Sequence, residues 1–123
     1  MSQKLSPEQK ALYRRVDEVL THGGTLNMNQ YILLIHGNAK SASSQEEWNS
    51  FFTMGRESGL FVGGSGIEDA RIMIGDPTAK PSEHIVGYMR FDADDKQKVL
   101  DLLQKHPIVV HGGSVELCEM ARE

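Results

Sequence analysis

The chain has a single cysteine, Cys118, so no disulfide can close within it, and no set of Cys and His has the spacing of a structural zinc site. A reducing cytoplasm is therefore the expected home. Long hydrophobic runs are missing too. The longest, Tyr31 to Ile35, is far too short for a signal-peptide core or a bilayer span, and the polar start Met1-Ser2-Gln3-Lys4 predicts no targeting. Positive charge is not in surplus: the formal charge of -4 gives no long-range attraction for phosphate backbones or anionic lipid. Neither nucleic acid nor membrane is an expected partner. Internal repeats and low-complexity tracts are absent, which sets aside arrays and linkers.

What is there fits one globular domain: 123 residues, 39% hydrophobic and 24% charged, too short for two domains of ordinary size. Residues 6 to 22 predict a helix, with Ser6 as cap, Pro7 at the first position, Gln9 completing a capping box and Leu12, Val16, Val19 and Leu20 in one stripe. Gly23-Gly24 closes it, so it reads as an appended arm. Tyr31 to Ile35, aliphatic without polar alternation, predicts a central strand buried on both faces. Ser44 and Glu47 form a second capping box, and Trp48, Phe51, Phe52 and Gly55 follow at the spacing of a helix's core face, the helix ending at Gly59.

A strand begins at Leu60-Phe61-Val62, and Arg71 to Ile74 is expected to continue or pair with it past a glycine-rich stretch suited to bulges. Ile85 to Phe91 predicts a further strand, with Ile85, Gly87, Met89 and Phe91 toward the helices and Val86, Tyr88 and Arg90 opposite. Asp94 and Gln97 open another helix with Val99, Leu102 and Leu103 on its apolar face, stopped by Pro107, and Ser114 to Met120 forms the last strand. This order predicts an α+β fold of ferredoxin-like pattern, an antiparallel sheet with two helices on one face. The other face is expected to be covered by a second subunit.

Tyr31-Ile-Leu-Leu-Ile35, Glu46-Glu47-Trp48 with Phe51-Phe52, Glu57-Ser58-Gly59-Leu60, Gly63-Gly64-Ser65, Gly75-Asp76-Pro77, Gly87-Tyr88, His106-Pro107 and Gly112-Gly113-Ser114-Val115-Glu116 stand in an order and spacing that resemble the YCII-related family, in the branch named for an Asp-Gly-Pro-Phe motif. The resemblance runs from about Met28 to Met120. It implies a dimeric α/β barrel, a cytoplasmic bacterial protein and a cleft at the open face, and divides the chain into an extension over 1–27 and a domain over 28–123. Here the motif reads Gly75-Asp76-Pro77-Thr78, with the acid displaced by one place. Some relatives carry a His/Asp pair whose histidine lies in the first helix, where Glu47 or Trp48 stands, so that pair is not carried over.

Five histidines are many for this length, and histidine alone titrates unperturbed near neutral pH. His36 leaves the central strand, His84 enters the Ile85 strand and His111 precedes the last one; taken singly, each reads as a solvated strand-end residue. His106 and His111 as a metal pair are interrupted by Pro107 and have no third ligand nearby. Glu83 and His84 are strand neighbours and point apart. Tyr88 and Arg90 share His84's parity and would anchor a carboxylate, or be a packed aromatic and a surface cation. Glu116, opposite Val115 and Leu117, faces the same side, where it would pair with Arg90 or act as a base. Asp76 sits on a turn before Pro77. Gly63-Gly64-Ser65-Gly66 lacks the lysine and helix of a phosphate loop and reads as a bend.

The resulting expectation is a homodimer that binds or transforms a small carboxylate-bearing molecule without cofactor or metal, His36, His84 and Glu116 being the catalytic candidates and Tyr88, Arg90, Asp76 and His111 the ligand-binding ones. The alternative is a non-catalytic ligand-binding or regulatory module, and fold analogy does not separate the two.

Overall fold

A computed structural model describes residues 28–121; the helix expected over 6–22 lies outside the described residues. The chain runs β1 (Asn29–His36), α1 (Gln45–Glu57), β2 (Phe61–Gly66), β3 (Ile85–Ala93), α2 (Lys96–Leu103), α3 (Pro107–Val110) and β4 (Val115–Glu119). The four strands form one antiparallel sheet in the order β2-β3-β1-β4. Each pair joined through a helix, β1 with β2 and β3 with β4, has one strand between its members, an α+β arrangement compatible with a ferredoxin-like fold.

The core lies between the sheet and the helices. Tyr31, Leu33 and Ile35 of β1 and Met89, Phe91 and Ala93 of β3 meet Phe51 of α1 and Val99 and Leu103 of α2. Period 2 in the strands and 3.6 in the helices put these side chains on facing surfaces, and each fully buried aliphatic or aromatic one contributes roughly 1.5–3 kcal/mol. Burial of β1 on both faces is not found: Ile32 and Leu34, on the face away from the helices, are half-buried. The run has no polar alternation, yet among the described residues only one side of it has helices to pack on.

Local chemistry sets the helix ends. Glu47 N–H donates to Ser44 Oγ at 3.1 Å and Ser44 N–H to Glu47 Oε1 at 2.9 Å, the full capping box, and Gly59 takes the left-handed turn at φ 76° just past Ser58. The cap of α2 is Asp95, whose carboxylate accepts from Gln97 N–H at 3.0 Å, and not Asp94, which pairs with Lys98 one turn on. The helix α2 ends at Leu103, before Pro107, which instead opens α3, because a proline at the first helical position removes an amide that has no intrahelical acceptor.

Arg71 to Ile74 forms no strand. It lies in the 67–84 connection with Ile72 and Ile74 exposed, while the Arg71 side chain donates to the carbonyls of Glu68, Ser82 and Ile85. The place beside β3 belongs to the glycines: a Cβ on Gly64 would lie 2.4 Å from the Tyr88 carbonyl oxygen, so β-branched residues do not fit there. The bulge expected nearby falls at Val62, where the register skips between Phe61 and Gly63. A second irregularity, at Ile35/His36, leaves Val86 unpaired, and Ile85 is buried outside the main core cluster.

Candidate functional site

The sheet face turned away from the helices carries the polar residues. Register aligns Glu116, Leu34, Tyr88 and Ser65 in one row across the four strands and Cys118, Ile32, Arg90 and Gly63 in the next. Arg90 and Glu116 therefore share that face. His36 stands at the end of β1 beyond Leu34, and its Nε2 lies 3.0 Å from Glu116 Oε1. Its place is fixed by backbone bonds on both sides, His36 N–H to Ser114 at 3.1 Å and Gly37 N–H to the His84 carbonyl at 2.8 Å. That second bond draws the His84 ring to 5.2 Å from the His36 ring.

His36, His84 and Glu116 thus form one cluster at the end of the sheet from which β1 exits and where β3 and β4 begin. The expected Arg90–Glu116 pair is not made, because Glu116 is engaged by His36. Arg90 keeps a buried Nε without a hydrogen-bond partner. Tyr88 lies between, one row from Arg90 on β3. When His36 donates Nε2–H to the carboxylate, its Nδ1 holds the lone pair that can take a proton, and Glu116 orients the ring and stabilises the imidazolium that forms. The side chain of His36 is 25% exposed and that of Glu116 55%, so the pair is open to solvent.

The other candidates lie elsewhere. His111 Nε2 is 2.7 Å from Glu47 Oε2 and its Nδ1 2.7 Å from Ser41 Oγ, a hydroxyl–imidazole–carboxylate series. Lys40 N–H donates to the His111 carbonyl at 2.9 Å, and Asn38 and Ser114 exchange two further bonds, so the series staples the β1–α1 loop to the turn before β4. The Glu47 carboxyl is held below its ordinary value, first by the Ser44 backbone N–H and then by His111. Asp76 is exposed, its Oδ1 accepting from both the N–H and the hydroxyl of Thr78; these bonds hold its carboxyl low and make it a turn residue. His106 is wholly buried between Trp48 and Phe51, and its Nδ1 accepts from Ile108 N–H at 3.1 Å.

Ser41 and Glu47 as partners of His111 escaped the sequence reading. Glu47 was legible as a capping residue, but a contact across 64 positions leaves no local signature. Among the described residues, no group of three or more His, Cys, Asp or Glu side chains is placed to hold a metal ion. No helix of the described residues is long and apolar enough to cross a membrane. No family model and no curated protein matches this chain.

Proposed function

We propose that this protein binds, and by acid–base chemistry transforms, a small carboxylate-bearing molecule on the open sheet face of a homodimer of the YCII-related, dimeric α/β barrel type. The observation that carries the reading is the His36–Glu116 contact at 3.0 Å beside His84, on the face that also holds Arg90 with an unpartnered buried Nε. A carboxylate accepting from Arg90 would bring its carbon skeleton along β3, past Tyr88, toward the imidazoles. His36 Nδ1 then serves as the base, Glu116 positions the ring, and His84 is the second proton carrier. A second subunit over this face would cover Ile32, Leu34 and Val86 and exclude water from the transfer. Neither step needs a metal or a cofactor.

The test uses a panel of short-chain organic acids in deuterated buffer, followed by proton NMR for binding and for exchange at the carbon beside the carboxyl group. Expected are saturable binding lost in Arg90→Ala, and exchange lost in His36→Gln and lowered in Glu116→Gln with binding kept. Binding without exchange in the wild type would support the alternative, a non-catalytic ligand-binding or regulatory module. Binding unchanged in Arg90→Ala would remove the anchor and the reading with it.

A further inference from the structure

The alternation of β3 calls for a helix-facing side chain beside Ile35, and the residue at that position is Gly87. Its neighbour in register on β2 is Gly66. Two adjacent helix-facing positions thus lack side chains: over Gly87 the Ser65 carbonyl oxygen and Ile35 Cδ1 come within 3.2 and 3.4 Å of where a Cβ would be, while the space over Gly66 is open. The structure has a cavity there of about 300 Å³, floored by Gly66 and Gly87, walled by Ile35, Met89 and Phe61, and roofed by Trp48 and Phe52 of α1 with Ile108 of α3. That volume is at the lower end of the range for small-molecule sites. No charged residue lines it, and Ser65 and Tyr88, which also border it, stand in the register row whose side chains project from the other sheet face. The Trp48 indole N–H is satisfied by Ser43 Oγ at 2.9 Å, so the roof presents ring carbon, not a donor.

We infer that this hollow is a binding site for a small, uncharged, planar apolar molecule of one or two rings, distinct from the polar cluster on the other sheet face and independent of the function proposed for it. A flat glycine floor and facing aromatic side chains favour a ring laid between them, since offset and edge-to-face aromatic contacts add to the burial of apolar area. A charged group would lose its hydration without a partner in the lining, so carboxylates are excluded from it. The floor is open at Gly66: a Cβ there would meet nothing closer than the Val86 carbonyl oxygen at 3.9 Å, so a side chain can enter the hollow from this position.

Trp48 is the only tryptophan, so its fluorescence reports the roof of the cavity directly. The experiment titrates the full chain with toluene and naphthalene, and with benzoate as the charged counterpart, reading Trp48 emission and, in parallel, methyl NMR shifts of Ile35, Met89 and Ile108. Expected is a saturable change with toluene and naphthalene and none at Trp48 with benzoate, weakened at least tenfold in Gly66→Val and in Ile108→Phe, two fillings from opposite walls, each checked for native circular dichroism. No saturable change in the wild type overturns the inference, as does unchanged affinity in a folded filling variant. Benzoate acting on Arg90 while toluene leaves Trp48 unaffected would overturn this site and leave the proposed function standing.

Discussion

His106 shows how one residue can carry opposed demands. It caps α3 through Nδ1 and fills the space between Trp48 and Phe51, yet Nε2 is buried without a hydrogen-bond partner. Burial penalises the imidazolium and lowers the His106 pKa from 6.5 to about 4. The unfolded chain therefore takes up this proton first. The contribution of neutral His106 is fully present above about pH 6.5 and is lost as pH falls from there toward 4, an effect on the order of 3 kcal/mol. Urea unfolding across this window should show the loss in the wild type and a flatter profile in His106→Phe. An NMR titration placing the His106 midpoint near 6.5 would contradict it. Glu47 and Asp76, with lowered carboxyl values, act in a different window: their contributions are present at neutral pH and fade only as pH drops below 4.5 and 3.8 respectively.

At the scale of the element, the glycines of β2 have two separate functions. Gly64 lets β2 approach β3, and Gly66 leaves the hollow above it. Gly64→Ala is expected to destabilise the domain by roughly 1–3 kcal/mol, the usual cost of overpacking, because the new methyl group would meet backbone that cannot swing away. Gly66→Ala should be neutral or stabilising by up to about 1 kcal/mol, since it lowers the freedom of the unfolded chain without a clash. Chemical denaturation of the two variants side by side checks the contrast; equal effects would mean that strand propensity alone decides. Ser44→Ala, which removes the cap of α1, should cost about 1 kcal/mol by the same measurement. The helices themselves were legible because capping and apolar spacing are local. Arg71 to Ile74 was misread because β-branched composition reports an intrinsic preference, while a strand also needs an edge to pair with.

For the whole molecule, the proposed homodimer rests on the sheet face turned away from the helices. Ile32, Leu34 and Cys118 are half-buried there and Val86 exposed, among the charged groups of the candidate site. A domain of this size gains from covering such a face. Sedimentation equilibrium at micromolar concentration should give twice the chain mass, and Leu34→Arg should give a folded monomer without carboxylate binding, because it places charge at the centre of the proposed contact. A wild-type monomer would require the site to work on an uncovered face.

The sequence by itself determined the four strands and the two longer helices in their order, but not α3, together with the core faces of α1 and α2 and the sides of β3 and β4 from which Arg90 and Glu116 project. Periodicity and capping act over a few residues, and parity survives as long as the register has no bulge between the compared positions. Only the tertiary structure decided that Glu116 meets His36 and not Arg90, that His111 is a staple between Ser41 and Glu47, and that two glycines from different strands meet to form one hollow. These contacts join residues far apart in the chain, 80 positions in the case of His36 and Glu116, and arise from register between strands, which no local pattern encodes.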